Sequence, residues 1–458
     1  MLAQRLGVRI GLAGLLSLLI AVWTGVWAGV RAQEATDGWP MLGRDPGHSA
    51  TAEGPSPPYR VGWSGSVGLG GPVAGPVATG GVVVVVARSG VSALDPATGD
   101  VTWSADRTPG PAGEAAVSGD TVVHASGSGS TGAVVARGLG DGRERWRAFT
   151  GSAVPGAVMI EGDVVYVGTS DGALLGFDVS TGEERFRFQA EGAIHSPPAV
   201  SGGVVLAAWE ERGEGRATIR ALEIDSEESE RSPAWQVSSR PGSLPSGVVS
   251  ADEDTVLVGA GDGSFRALGL SAGDQRWVTG LRDAVAGGQV PAAGPALVAA
   301  DRLHVSRLDP STGEEEWSFR LADFRALGDD RVNTLSASSP VVSSDAVIAG
   351  DATGLASAID VETGHRVWRA DLGPGAVGPA AVDGDRIYLT TLGSGGLVVA
   401  LEHDPQGPRL EEVSDTVLSP LRALFDFLVA FVAVSIVILG LFRYALGRRP
   451  PASTEDRT

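Results

Sequence analysis

Six histidines, 55 acidic side chains and no cysteine set the chemistry open to this chain. His48, His124, His195, His304, His365 and His403 form no H-x-x-x-H or other short-range ligand pair, so they are read as structural or surface residues. Calcium needs several oxygen ligands at fixed loop spacing. Asp171-Gly172, Asp262-Gly263 and Asp351 are single acids in hairpins, and the densest cluster, Asp225, Glu227, Glu228 and Glu230, lacks cage spacing and reads as a solvated loop. Ser128 and Ser130 sit in a Gly-Ser-Gly-Ser stretch with no base beside them, which does not support nucleophilic catalysis. The glycine-rich stretches open no helix, so phosphate cradling is not supported either. Without cysteine, disulfides, thiol catalysis, Cys-ligated zinc, c-type haem attachment and a lipidated Cys are excluded. The formal charge of −20 and pI near 4.7 set nucleic-acid binding aside, since that needs a basic face. All 35 basic residues are Arg, as codon bias in a GC-rich genome gives.

What repeats is a turn. Ala93-Leu94-Asp95-Pro96-Ala97-Thr98-Gly99-Asp100-Val101-Thr102-Trp103 returns with variation in stretches ending at Phe186, Trp317 and Trp368, and more loosely at Trp146 and Trp277. An interrupted copy ends at Trp235, and a bare Trp stands at position 63. Neighbouring aromatics are 40 to 51 residues apart. A period of this size with strands in each repeat predicts a β-propeller, whose blades bury their faces only against one another. The Thr-Gly pairs belong to turn chemistry, because they recur with the repeat.

The repeat resembles the tryptophan-docking motif of the quinoprotein (PQQ-type) propeller family, A-x-D-x-x-T-G-x-x-x-W, over roughly Trp39 to Asp404. The stretch from Asp37 to Ala50 is similar to the start of propellers in that family. The resemblance implies that Trp63, Trp103, Trp146, Phe186, Trp235, Trp277, Trp317 and Trp368 fasten each blade to the next; Trp103, Trp317 and Trp368 are expected to be largely buried. It also implies PQQ and calcium for enzymatic members, often with vicinal cysteines or a c-type haem. Those cysteines are absent, and no Asn/Asp/Glu set matches the calcium ligands, so no cofactor is expected unless the dehydrogenase alternative holds.

Each repeat reads as four short strands, A to D. In one copy strand A lies near Ala153 to Ile160, and the Asp171-Gly172 hairpin joins strands B and C. Eight B strands begin near Val82, Thr121, Val164, Val204, Thr255, Ala296, Ala346 and Arg386, yet only seven D strands follow. The strand around Trp63 is therefore expected to complete blade eight; seven blades and an appendage is the alternative. D–A and B–C loops share one face, the top, and A–B and C–D turns the bottom.

The ends read as membrane segments. Arg5 and Arg9 precede an uncharged run from Ile10 to Val30, so residues 1–32 are expected to be a signal peptide or an uncleaved signal anchor. Residues 33–60 open the exported part, 61–404 form the eight-bladed propeller and 405–420 a linker. Residues 421–442 are expected to form one transmembrane helix, and 443–458 a cytoplasmic tail starting at Arg443. The short linker turns the bottom toward the membrane and leaves the top open.

The repeat is interrupted at Glu210 to Arg216, at Ser226 to Pro233 and at Leu321 to Leu335. Insertions of this kind often mark a binding face. The candidate partner-binding residues are Glu210, Glu211, Arg212, Phe324, Arg325 and Leu327. The expected function is an extracytoplasmic protein-interaction scaffold at the cell membrane, with a protein partner in the envelope. It resembles the propeller subunit of outer-membrane β-barrel assembly machinery, except that a C-terminal helix replaces the lipidated Cys. A PQQ-dependent dehydrogenase and a ligand-sensing ectodomain are the alternatives.

Overall fold

The structure, a computed structural model, describes residues 38–407 except 212–216, 225–232, 239–244, 251–253, 261, 283–291, 294–295, 302, 322–338, 374 and 394. These residues form eight sheets, antiparallel apart from one parallel strand added to the seventh. The eight B strands begin at Val82, Thr121, Val164, Val204, Thr255, Ala296, Ala346 and Arg386, where the repeat places them. The expected leader, most of the linker, the membrane helix and the tail lie outside the described residues. Among the described residues no helix is long and apolar enough to cross a membrane.

Burial explains the sequence pattern inside a blade. The B strand Val82–Ala87 reads Val-Val-Val-Val-Val-Ala, and all but its first residue are buried. Both its faces pack against neighbouring blades, so no alternation is required of it. The outer strand Val101–Asp106 keeps one face in solvent and alternates. Strand A is shorter than expected. In blade three it is only Met159–Glu161, because Ala153 to Val158 is a loop bonded to other loops. The carbonyl of Ala153 takes the N–H of Ser170, that of Gly156 the N–H of Gly113, and Val158 donates to Glu114.

The strand around Trp63 closes the ring. Tyr59–Gly65 pairs antiparallel with Val398–His403, followed inward by Arg386–Thr390 and Ala381–Asp383. A β-bulge confirms that this is the eighth D strand. In every blade the C–D register slips by one residue just before the docking aromatic, at Thr102, Arg145, Arg185, Ala234, Arg276, Glu316 and Val367. In the closing strand the extra residue is Gly62, between Val61 opposite Leu401 and Trp63 opposite Ala400. A bulge bends and re-aims the strand locally, here turning each aromatic toward the next blade.

The stretch before the closing strand was expected to be a simple lead-in, and it is part of the ring. Gly38–Trp39 adds a fifth strand to the inner edge of blade one, and Thr51–Ala52 adds one in parallel to blade seven. Between them the chain passes the inner strands of blades two and four, where Val117 donates to Pro40 O and Val200 to Pro46 O, both at 2.8 Å. Trp39, His48 and Ala50 are fully enclosed. Arg44, His48 and Ala50 hold positive φ of 74°, 59° and 49°, a conformation that costs non-glycine residues energy. The surrounding contacts hold it in place.

Candidate functional site

Six of the seven docking tryptophans make one polar bond and one flat contact. Indole Nε1 donates to a carbonyl of the next blade: Trp63 to Pro96 at 2.9 Å, Trp103 to Leu139 and Trp146 to Val179 at 2.7 Å, Trp277 to Pro310 at 2.9 Å, and Trp317 to Val361 at 3.0 Å. Trp235 donates to Leu270 in the same way. The ring lies on the glycine of the same turn. A Cβ built on Gly99, Gly142, Gly182, Gly273, Gly313 or Gly364 would stand 2.4 to 2.7 Å from it. Those glycines have φ of +67° to +76°, so the turn's left-handed residue and the tryptophan's platform are the same position.

The aspartate opening the turn fixes its shape. Asp95 Oδ1 accepts from the N–H groups of Ala97 and Thr98 at 2.8 and 3.0 Å. Asp178 does the same with Ser180 and Thr181, and Asp309 with Ser311 and Thr312. This is an Asx turn. The hydroxyl of Ser180, followed by backbone N–H groups, pulls the Asp178 carboxyl down to about 2.

One expectation about these residues needs correction. Trp103 and Trp317, like Trp63, are only half-buried, because the outer strand leaves one ring edge at the rim; Trp146, Trp235, Trp277 and Trp368 are buried. Phe186 has no N–H to donate. It is buried and meets Tyr166 edge-on, with centroids 5.8 Å apart.

The acidic cluster Asp225, Glu227, Glu228 and Glu230 lies outside the described residues, and several of the other titratable groups singled out for chemistry are absorbed by the framework. His124 Nδ1 bonds the carbonyl of Ala125 at 3.0 Å, and its Nε2 accepts from Arg137 Nε at 3.1 Å. That fixes a neutral ring protonated at Nδ1. Burial, with Arg137 nearby, pushes its pKa down to about 3. Arg107 gives its N–H groups to the carbonyls of Ala87, Arg88, Gly110 and Ala125, tying blades one and two. Glu114 is buried, which raises its carboxyl pKa, and its Oε1 accepts from Gly75 N at 2.9 Å. His48 Nε2 lies 3.3 Å from Met159 Sδ, while His195, His365 and His403 are exposed. Asp171, Asp262 and Asp351 each bond within their own turn. Among the described residues no three His, Asp or Glu groups converge as a metal site.

One motif was passed over in the sequence. Gly168-Thr169-Ser170-Asp171-Gly172 spells G-x-S-x-G. It joins Val164–Gly168 to Ala173–Asp178 as a hairpin, and lacks the strand-to-helix turn that exposes a nucleophile.

Of the candidate partner-binding residues, Arg212, Phe324, Arg325 and Leu327 lie outside the described residues. Glu210 ends the strand Val204–Glu210 opposite Ala217, and Glu211 accepts a hydrogen bond from Thr218 Oγ1. Both stand on the B–C hairpin of blade four, on the same face as the D–A loops. The long D–A connection leaves blade six at Leu321, which is buried and bonded to Leu303 O at 2.8 Å.

Eight bulged blades, seven carrying a docking tryptophan and one Phe186, closed by the strand Tyr59–Gly65, define a propeller of the quinoprotein-like repeat class. The family model described as outer membrane protein assembly factor BamB matches residues 60–154, 130–231, 215–364 and 352–420, and the chain belongs to that family. The outer membrane protein assembly factor BamB of Burkholderia pseudomallei is 26% identical over 271 residues, covering 55% of this chain and 64% of that protein, a little under two thirds of its length. The crystal structure of BamB from Moraxella catarrhalis superposes with a TM-score of 0.56 at 16% identity, over 75% of this chain and 100% of that one. Quinohemoprotein alcohol dehydrogenase from Comamonas testosteroni gives 0.62 at 15% identity, over 83% of each chain. At such identities the structures share the fold alone.

Proposed function

We propose that the protein is an extracytoplasmic interaction scaffold, held at the membrane by residues 421–442 and presenting its D–A and B–C loops to a protein partner in the cell envelope. The observation that carries this reading is the use of the polar residues. Among the described residues, His124, Glu114 and the turn aspartates each serve a turn, an interblade bond or the buried framework, while the repeat is interrupted at connections that include Glu210 to Arg216 and Leu321 to Leu335. Family membership supports it, since the named relative is an assembly factor for outer membrane proteins. Strand order supports the orientation. His403 ends strand C of blade eight, on the face opposite the D–A loops, and the chain continues from there toward the expected membrane segment.

The dehydrogenase alternative has the shared fold in its favour. A calcium-held quinone needs convergent oxygen ligands, and among the described residues no three His, Asp or Glu side chains come together. The test adds PQQ and Ca²⁺ to the purified protein and follows dye-linked oxidation of alcohols and sugars, alongside recovery of the envelope partner by wild type and Phe324→Ala. The scaffold reading expects no turnover above a no-protein control and a partner lost in the variant. Turnover, or recovery unaffected by the variant, overturns it.

A further inference from the structure

Blade four carries a cation that the repeat does not require. Arg220 lies midway along the strand Ala217–Glu223, opposite Ala207 and one residue before the partner of Trp235. Ser92, Val135, Leu175, Ser306, Ser357 and Val399 fill this place in blades one, two, three, six, seven and eight. Blade five has Arg266 there, with Asp262 nearby. Other arginines on C strands are taken up by the framework. Arg137 donates to His124 Nε2 and to the carbonyls of Gly142 and Asp106, and Arg307 pairs with Glu316 and Glu362 at 2.6 and 2.8 Å. Among the described residues Arg220 has no such bond or ion pair.

Rings hold its guanidinium instead. Cζ lies 5.0 Å from the centre of Phe188, on the outer strand Glu184–Gln189 of blade three. Trp209 packs on the same ring, with centroids 5.8 Å apart. It is buried, and stands opposite Thr218 on the face of blade four that carries Arg220. Arg220 Nε and the Trp209 indole N–H are enclosed and have no acceptor among the described residues. Enclosing donors without acceptors is costly, so the cluster adds little to the fold. Arg220 and Phe188 are themselves only half-buried, which leaves the cleft between blades three and four open to solvent beside them. Phe188 lies next to the end of its D strand and Trp209 next to the end of its B strand, so the cleft is on the top, at the interrupted hairpin. Glu211 of that hairpin is engaged by Thr218 Oγ1 and makes no pair with Arg220.

Resting on the scaffold reading, we propose that this cleft takes an Asp or Glu side chain of the protein partner. The carboxylate accepts from the two Nη groups of Arg220 in a fork-to-fork pair, which the planar guanidinium favours. Phe188 fixes the guanidinium by cation–π attraction to its flat face and leaves the N–H edge for the ligand. A chain of net charge −20 repels acidic surfaces at large, so one acid admitted at one uncommitted cation sets register and selects the partner.

The test selects bead-displayed random decapeptides on the full-length protein in detergent, then compares each enriched peptide with the same peptide carrying an amide in place of its acid. Enriched peptides carry Asp or Glu, and the amide form binds wild type at least ~10-fold more weakly. On Arg220→Gln the two forms bind alike, because the carboxylate has lost its partner. Arg220→Lys keeps the charge without the fork and restores only part of the preference. Both variants melt with wild type, since Arg220 makes no internal bond; should either fail to fold, the acid and amide forms on wild type still decide. No enriched set, enriched peptides without an acid, an amide form that binds wild type equally well, or an undiminished acid preference on Arg220→Gln overturns the proposal. The scaffold reading stands or falls separately, because recovery of the partner through Phe324 tests it whatever the partner's charge.

Discussion

Trp368 Nε1 donates to the carbonyl of Tyr59 at 2.7 Å, joining residues 309 positions apart, and the two rings meet edge to face at 5.2 Å. In the other blades the tryptophan finds a carbonyl in or beside the next C–D turn. Blade eight has no C–D turn, because its D strand comes from the start of the chain. The first residue of that strand takes the turn's place.

Ring closure therefore depends on residues 38–65. Deleting them removes the D strand of blade eight, the added strands of blades one and seven, and the acceptor for Trp368. We expect a sharp fall in melting temperature, measured by calorimetry against the intact chain. A truncated protein that melts like the full one contradicts the closure.

Depth of burial should grade the tryptophans. Trp277→Ala, at a buried ring, is expected to cost about 3–5 kcal/mol. Trp317→Ala, at a half-buried one, should cost less. Trp277→Phe keeps most of the packing and loses the bond to Pro310, so about 1 kcal/mol is expected. Urea unfolding at constant m-value checks all three.

Two glycines separate backbone strain from collision. Gly119 has φ +56° and open space where a Cβ would stand, so Gly119→Ala should cost about 1–2 kcal/mol from conformation alone. Gly99 has φ +76°, and its Cβ would lie 2.4 Å from Trp63. Gly99→Ala should cost distinctly more. Equal losses in the same unfolding assay contradict the platform role of the turn glycine.

His124 gives the fold a pH dependence. Its folded pKa lies near 3, well below the ordinary histidine value of 6.5. The unfolded chain binds this proton below about pH 6.5 while the folded chain refuses it. Its contribution is thus fully present above that pH and is lost as pH falls toward 3. Linkage predicts a loss of about 2 kcal/mol between about pH 7 and pH 5. His124→Gln should flatten the stability curve over that interval, as urea titrations at the two pH values will show. An unchanged slope contradicts the buried neutral ring.

Much of the architecture was legible because the docking turn couples chemistry to position. Asp95, Gly99 and Trp103 each have defined physical tasks, and the same tasks recur at Asp309, Gly313 and Trp317. Blade number followed from counting strands, and closure from the spare Trp63. The inner path of residues 38–56 was not legible, since Gly38–Trp39 and Thr51–Ala52 are two-residue strands whose partners are distant in sequence. The bulges were hidden as well. Nothing in the type of Thr102, Arg145 or Gly62 marks it as the extra residue. The half-burial of Trp103 and Trp317 depends on rim geometry that the motif does not encode. Of the candidate binding residues, the sequence points to insertions, and a place in an insertion does not specify a partner.

The scaffold proposal puts the partner on the face bearing the D–A loops, and position 324 belongs to the sequence of the D–A connection after blade six. A photo-crosslinking amino acid placed there reads this contact in living cells, with the same group at Thr98, on a C–D turn of the opposite face, as control. We expect one discrete adduct with an envelope protein from position 324 and none of that mass from position 98. The same adduct from both positions, or none from 324 while 98 yields one, would refute binding through that face.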